Sequence, residues 1–271
     1  METIQFEDLT YEHLFALNNQ RVKIMKDGID FYILLRLKQG NDKLIVHSNG
    51  AVNKKKVAFP AFTRTDWYKD IDASFVYMDD RTLHDGNVNL AWGLGTKSRH
   101  YLRDYHDIAA RIAELIDVET ENVTYLGSSG GGFISMMLAT MHKGARAIVN
   151  NPQTYVHRYK KLAVDRAYQH VFGDMPAQEI QRRYSTRLSL TALMRHENHV
   201  PEIFYIQNRL GQVDMEDHYT PFNQMLDKYK LDSKKIKYIL YSDAEAGHQP
   251  IPKDRFIAFI NAVIDQKLAI Y

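Results

Sequence analysis

One serine in the sequence lies in a setting that favours nucleophilic chemistry. The run Gly127-Ser128-Ser129-Gly130-Gly131 fits the pattern G-x-S-x-G, with Ser129 at its centre. In this pattern the serine occupies a sharp turn between a strand and a helix, so the residues two before and two after it must lack side chains to avoid a collision. The strained turn holds the serine Oγ above the strand end, where the helix N-terminus favours developing negative charge.

The residues around this turn decide between three interpretations of its glycines. Residues 123–126 form a short apolar run typical of a strand, and residues 133–139 are typical of a buried helix, so the turn has the context that a nucleophile requires. A glycine turn that only packs a helix against a strand is the structural alternative. A phosphate-binding loop is disfavoured because no lysine follows the run as in Walker A, and the run does not match G-x-G-x-x-G.

The elements that must position Ser129 alternate along the chain. Short β-rich runs and longer helical patterns begin near residue 29, which is typical of a sheet with helices on its faces. The patterns predict an opening pair of strands around a turn at Gly40, at residues 31–37 and 43–46. Further strands are predicted at 56–62, 73–78, 123–126, 145–149, 203–206 and 236–241, and helices at 98–116, 133–139, 219–229 and 253–268. Residues 154–200 hold helical patterns, and we interpret them as a cap inserted within a single domain spanning 1–271.

Composition excludes several classes of protein. The chain has 271 residues, of which 45% are hydrophobic and 25% charged, which is ordinary for a globular protein. A formal net charge of +2 argues against nucleic acid as the partner. The absence of cysteine excludes disulfides, thiolate metal sites and a cysteine nucleophile. The acidic N-terminus lacks the features of a secretory signal, and no run approaches the roughly 18 apolar residues of a membrane span, so we expect a soluble, cytoplasmic protein.

The chain resembles the α/β-hydrolase superfamily over nearly its whole length, because the Ser129 turn lies within this alternation of strands and helices. The resemblance implies a mostly parallel central sheet with helices on both faces and a helical cap. In that family an acid follows the strand after the cap, and a histidine follows the last strand. It therefore implies His248, in the loop after residues 236–241, as the base. For the acid it offers Asp214, Glu216 and Asp217. We favour Asp214, because the other two adjoin the next helix and serve equally well as its N-terminal charges.

The family resemblance also assigns roles. His248 would take the Ser129 proton and return it to the leaving group, while Asp214 holds the imidazole in the required tautomer. The backbone N–H of Gly130 would be one oxyanion donor. The second should come from the loop after the third strand, where many relatives have His-Gly. Pro60-Ala61-Phe62-Thr63-Arg64 occupies that place, and Phe62 N–H is the expected donor.

Four short motifs carry a finer resemblance, and these are Phe62-x-Arg64, the Ser129 turn, Asn151-Pro152-Gln153 and Gly247-His248-Gln249-Pro250. They are similar to those of bacterial α/β-hydrolases that modify surface polysaccharides and glycoproteins, including capsule O-acetyltransferases. This implies a carbohydrate or small acyl-ester substrate, Arg64 among its binding residues, no tightly bound cofactor, and acetyl-CoA as a possible acyl donor. Hydrolysis and transfer both stay open.

The cap is the basic part of the chain. Residues 154–200 contain eight Lys or Arg against four acids, and among them Arg182 and Arg183 are expected to bind an anionic glycan or the phosphates of an acyl donor. Solvated helix faces are the alternative. His196-Glu197-Asn198-His199 is not the H-E-x-x-H motif, so no metal site is expected.

The sequence therefore predicts a serine esterase or O-acyltransferase that works through an acyl-enzyme. The alternative from another class is a catalytically silent scaffold that binds a glycan or a protein partner through its cap. The oligomeric state is not predicted.

Overall fold

The structure is a computed structural model that describes residues 1–267. Its sheet has nine strands in the order β1-β2-β3-β5-β4-β6-β7-β8-β9, and only β3 runs against the others. The strands are β1 (Glu2–Gln5), β2 (Arg21–Lys26), β3 (Ile29–Arg36), β4 (Leu44–Ser48), β5 (Ser74–Met78), β6 (Val123–Ser128), β7 (Arg146–Asn150), β8 (Glu202–Asn208) and β9 (Ile236–Tyr241).

Helices connect most of the parallel strands. They are α1 (Tyr11–Ala16), α2 (Tyr101–Leu115), α3 (Gly130–Met141), α4 (Lys161–Phe172), α5 (Ala177–Arg183), α6 (Ser185–Leu188), α7 (Leu190–Glu197), α8 (Gln212–Asp214), α9 (Thr220–Lys228) and α10 (Lys253–Ile264). A π-helical turn at Met215–Tyr219 joins α8 to α9. The elements α4 to α7 lie between β7 and β8, within the segment that the sequence analysis interprets as a cap.

The sheet is buried on both faces, which is why its central strands lack the polar alternation of a half-exposed sheet. Every residue of β4 and of β5 is buried. The apolar sides of α2 and α3 cover one face, where Tyr105 and Phe133 belong to the larger core cluster. Phe256 of α10 belongs to the cluster on the other face. This arrangement confirms the predicted mostly parallel sheet with helices on both faces.

Glycines let α3 start directly against the sheet. A Cβ on Gly127 would lie 2.3 Å from the carbonyl oxygen of Gly131, and a Cβ on Gly131 would lie 2.4 Å from that of Ser48. Real side chains cannot occupy these positions without moving backbone. The predicted need for glycine two residues before and two after Ser129 is therefore confirmed.

The two predicted opening strands are confirmed, but they do not form a pair. The strand at 31–37 pairs with β2 and β5, and the strand at 43–46 lies between β5 and β6. Gly40 does lie in a turn, with φ 72°, but this turn connects two strands that are not neighbours in the sheet. Because every residue of β4 is buried, it belongs at the centre of a parallel sheet rather than in a hairpin.

The predicted strand at 56–62 is also wrong, since this segment is a loop. Pro60 has no N–H to donate to a strand ladder, and Val57 is 42% exposed. Three elements were missed, namely β1, α1 and β2. They lie before residue 29, where the sequence analysis placed the start of the alternating strands and helices. The signal for β2 was present, because Val22 and Ile24 are buried and alternate with polar residues.

The remaining predicted elements are confirmed with shifts of a few residues at their ends. The last predicted helix, 253–268, corresponds to α10, and its final residue, Leu268, lies outside the described residues. The turn after β6, the loop after β8 and the loop after β9 all open at the carboxyl edge of the sheet, which is where open α/β sheets bind ligands.

Candidate active site

Ser129 lies between β6 and α3 in a backbone conformation that is rare outside glycine, with φ 56° and ψ −126°. Its N–H donates to the carbonyl of Asn150 at 3.2 Å, and its own carbonyl accepts from the N–H of Gln153 at 3.1 Å. These two bonds, one to the last residue of β7 and one to the segment after it, hold the turn. They compensate a conformation that costs on the order of 1–3 kcal/mol.

The structure brings Ser129, His248 and Asp214 into one hydrogen-bonded chain. Ser129 Oγ lies 2.9 Å from His248 Nε2, and His248 Nδ1 lies 2.8 and 2.7 Å from the two carboxylate oxygens of Asp214. The Asp214 side chain is 6% exposed and the His248 side chain 43% exposed. A buried carboxylate therefore fixes the imidazole, whose opposite nitrogen faces both the serine and the solvent.

Two buried asparagines position the loop that carries His248. Asn151 Nδ2 donates to the carbonyls of His248 and Gln249 at 3.2 and 3.0 Å, and its Oδ1 accepts from the N–H of Asn208 at 2.8 Å. The Asn208 side chain in turn donates to the carbonyl of Gly247 at 2.9 Å. Because both asparagines lie at the ends of β7 and β8, the histidine loop is anchored to the sheet itself.

Among the three acids offered by the sequence, only Asp214 contacts His248 in the described part of the chain. Glu216 is exposed and accepts a hydrogen bond from Gln212. Asp217 lines the cleft beside the site without touching the imidazole. His218 is a buried neighbour of Asp214, and burial lowers its pKa to about 4. The ring is therefore neutral at neutral pH, and its Nδ1 accepts a hydrogen bond from the N–H of Thr154.

Gln153 contacts Ser129, and the sequence analysis did not assign it a role. Its Nε2 donates to Ser129 Oγ at 3.2 Å, and its Oε1 accepts from the indole N–H of Trp92. The indole can only donate, so it sets which end of the Gln153 amide faces the serine. Gln153 is fully buried. Its presence in the Asn151-Pro152-Gln153 motif was the only sequence signal for it.

The strand that leads into the expected oxyanion site differs from the sequence-based prediction. The strand next to β6 in the sheet is β4 and not residues 56–62. The loop after this strand therefore begins at Asn49. A Cβ on Gly50 would lie 3.9 Å from that of Ser129, so Gly50 adjoins Ser129. Neither Gly50 nor Ala51 donates a backbone hydrogen bond within residues 1–267. Phe62 instead packs beside the apolar cluster around Trp67.

The arginines predicted to bind substrate lie away from His248. Arg64 lies behind the turn, where its Nη2 donates to Ser128 Oγ at 3.0 Å and its guanidinium stacks 4.5 Å from the Trp67 ring centre. Burial lowers the pKa of Arg64 to about 10. Arg182 and Arg183 are exposed on α5, and Arg183 is paired with Glu179 at 2.9 Å. None of the three lines the cleft at His248.

That cleft has a volume of about 450 Å³ and opens beside His248 and Asp214. Its other walls come from the Leu210–Val213 turn and from Arg158, Tyr159 and Lys160 at the start of the cap. Within residues 1–267 no group of three or more His, Asp or Glu side chains could hold a metal ion. The helices described there are all too short or too polar to span a membrane.

Known structures share this fold. No family model matches the sequence, and no curated protein is similar to it. The capsule O-acetyltransferase of Neisseria meningitidis serogroup A superposes with a TM-score of 0.63 at 14% identity, over 88% of this chain and 95% of that protein. A mutant of it has been solved in complex with CoA.

Two further structures in this comparison are those of hydrolases. An esterase from Pyrobaculum calidifontis has a TM-score of 0.60 at 14% identity, over 95% of this chain and 89% of its own. An S-formylglutathione hydrolase from Agrobacterium tumefaciens has a TM-score of 0.56 at 12% identity, over 89% and 88%. The chain therefore has the α/β-hydrolase fold, as its motifs predict.

The contact between Asp214 and His248 generates the first prediction. Asp214→Asn would place an amide against Nδ1 and favour the wrong tautomer, so we expect ester cleavage to fall about 10⁴-fold. Asp217→Asn, the matched control in the same cleft, should change kcat less than about fivefold. Steady-state kinetics on p-nitrophenyl acetate measure both, and the opposite ranking would transfer the role to Asp217.

The Gln153 contact generates the second prediction. Gln153→Ala removes a donor to Ser129 Oγ, and we expect kcat to fall about 10- to 100-fold with a smaller change in KM. Trp92→Phe keeps the amide but releases its orientation, so its kcat should fall by an intermediate amount. If Gln153→Ala retained full kcat while circular dichroism showed an intact fold, Gln153 would have no part in the chemistry.

Proposed function

We propose that the protein is a serine-dependent esterase or O-acyltransferase that works through an acyl-enzyme. The observation that carries this proposal is the hydrogen-bonded chain from Ser129 Oγ through His248 to the buried Asp214 carboxylate. A neutral serine hydroxyl is a poor nucleophile, and a base at 2.9 Å held by a carboxylate is the arrangement that activates it. Ser129 is the proposed nucleophile, His248 the general base and Asp214 the orienting acid.

The proposed reaction begins with attack of Ser129 Oγ on the carbonyl carbon of an ester or thioester. The serine proton passes to His248 Nε2 as the new C–O bond forms, and the carbonyl oxygen becomes an oxyanion. The amide of Gly130, at the start of α3, is one proposed donor to it, since the first N–H groups of a helix have no partner within the helix. The Gly50–Ala51 turn is the proposed source of the second, in place of Phe62.

Collapse of the tetrahedral intermediate breaks the bond to the leaving group, which takes the proton from His248. The acyl group then remains on Ser129 as an ester. In the second half-reaction His248 removes a proton from water or from a hydroxyl group, which attacks the same carbon, and Ser129 Oγ recovers its proton. Hydrolysis and transfer differ only in this attacking group.

Transfer to a carbohydrate hydroxyl is the second candidate function. In its support, the capsule O-acetyltransferase shares the fold, and acetyl-CoA is accordingly a possible donor for this chain. The cleft at His248 also carries two cations, Arg158 and Lys160, that form no ion pair within residues 1–267. They are better placed than Arg182 and Arg183 to attract an anionic acceptor or donor.

The proposed nucleophile is tested by covalent labelling. A fluorophosphonate should modify wild-type protein at Ser129, because only an activated serine reacts at a useful rate. Ser129→Ala and His248→Ala should abolish labelling, while Ser128→Ala, one residue away, should keep it. Peptide mass spectrometry locates the adduct. A folded wild-type protein that stays unlabelled would favour the catalytically silent scaffold.

Transfer and hydrolysis are separated by the fate of the acyl group. If the protein is a transferase, incubation with acetyl-CoA and a bacterial polysaccharide should yield O-acetylated polymer, visible by NMR, at a rate above that of CoA release without acceptor. Ser129→Ala should form none. Efficient cleavage of acetyl esters with no acetyl group on any member of an acceptor panel would assign the protein as an esterase.

A further inference from the structure

A second cleft adjoins the one at His248. It has a volume of about 210 Å³ and shares only Tyr159 and Lys160 with the first. Its remaining walls come from the loops after β4 and β5 and from the first turns of α4, and they are Ala51, Val88, Asn89, Leu90, Leu162, Ala163 and Arg166. The site therefore has two arms, which we call the His248 cleft and the Leu90 cleft.

The chemistry of acyl transfer distinguishes the two arms. His248 must protonate the leaving group and later deprotonate the attacking one, so both occupy its side of the reacting carbon. The acyl chain then extends to the opposite side, past the oxyanion donors. The Leu90 cleft lies there, because Ala51 follows Gly50 and a Leu90 methyl group lies 2.6 Å from where a Cβ on Gly130 would be.

The Leu90 cleft combines an apolar wall with two exposed cations. Leu162, which is 63% exposed, and Ala163 supply most of the aliphatic surface beside the buried Val88 and Leu90. Lys160 and Arg166 are the only charged residues that line the cleft. Neither cation forms an ion pair within residues 1–267, whereas Lys161 beside them is paired with Asp165 at 2.6 Å. With a volume of about 210 Å³, the cleft has room for an acyl group larger than acetyl.

We propose that the Leu90 cleft binds the acyl part of the substrate and selects acyl groups with a short aliphatic chain ending in a carboxylate. The chain would pack on the aliphatic wall of the cleft, chiefly on Leu162 and Ala163, and the terminal carboxylate would reach Arg166 and Lys160. The inference rests on the proposed function and deepens it, since it names the class of acyl group that Ser129 accepts. Its substrates are half-esters and half-thioesters of dicarboxylic acids.

Three p-nitrophenyl esters test the inference, namely the acetate, the hexanoate and the monoester of adipic acid. The last two have acyl chains of equal length and differ in the terminal carboxylate. We expect kcat/KM for the adipate ester to exceed that for the hexanoate about tenfold. Arg166→Gln should abolish this preference and leave the acetate rate within about twofold. Lys161→Gln, the matched control on the same helix, should retain the preference.

Binding provides a measurement that does not depend on turnover. Calorimetry should detect adipate binding to Ser129→Ala and a loss of at least tenfold in affinity when Arg166→Gln is added. Suppose that fluorophosphonate labels Ser129 but kcat/KM for the adipate ester does not exceed that for the hexanoate, or that Arg166→Gln does not change this preference. The inference is then wrong while the proposed function stands. If Ser129 is not labelled, the proposed function fails, and adipate affinity alone then decides whether the cleft binds a carboxylate.

Discussion

The backbone conformation of Ser129 is the constraint on which the rest of the site depends. A side chain at φ 56° is tolerated only where the surroundings hold it, and here the end of β7 and the segment after it do so. Gly127 and Gly131 must lack side chains for α3 and β4 to approach the turn closely enough, and Gly132 must lack one because Pro152 packs against it. The strained conformation of Ser129 thus depends on glycines and on close packing from three sides.

In the polar network around Ser129, the hydrogen bonds leave each group a single role, as donor or as acceptor. The Trp92 indole sets the orientation of the Gln153 amide, the Thr154 amide donates to a neutral His218, and Asp214 faces His248 with both oxygens. Because these groups are buried, the loss of any one partner would leave another unsatisfied at a cost of about 1–3 kcal/mol. The arrangement therefore restricts Ser129 Oγ to two neighbours, an acceptor at His248 and a donor at Gln153.

The sequence predicted those parts of the fold and the site that depend on local pattern. The run from β6 into α3 has a strand, a glycine turn and an apolar helix in immediate succession, so Ser129 could be identified without knowledge of distant contacts. His248 and Asp214 could be predicted because the family that the chain resembles has its acid and its histidine in a fixed order along the chain. The prediction of Phe62 was built on a strand at 56–62, and it lost that basis because hydrophobicity alone does not distinguish an apolar loop from a strand.

Other parts of the site depend on which strands are neighbours, and local pattern does not contain that information. Gly50 could be placed beside Ser129 only once β4 was known to lie next to β6. The net charge of the cap indicated that cations matter, but not which of them face the cleft. Arg182 and Arg183 were chosen from a cluster in the sequence, whereas Arg158 and Lys160 lie at the cleft.

The hydrogen bonds from Asn151 and Asn208 to the His248 loop make the position of His248 depend on the sheet rather than on the helices between β7 and β8. Asn151 and Asn208 belong to the ends of β7 and β8, and no side chain of α4 to α7 bonds to Ser129, His248 or Asp214 in the described chain. The helices α4 to α6 could therefore differ in sequence and length without breaking a hydrogen bond of the Ser129, His248 and Asp214 chain, whereas α7 packs against α3, which begins at Gly130. A different set of helices grafted between the same strand ends would change the walls of the cleft and keep these hydrogen bonds, provided that the packing of α7 on α3 is retained.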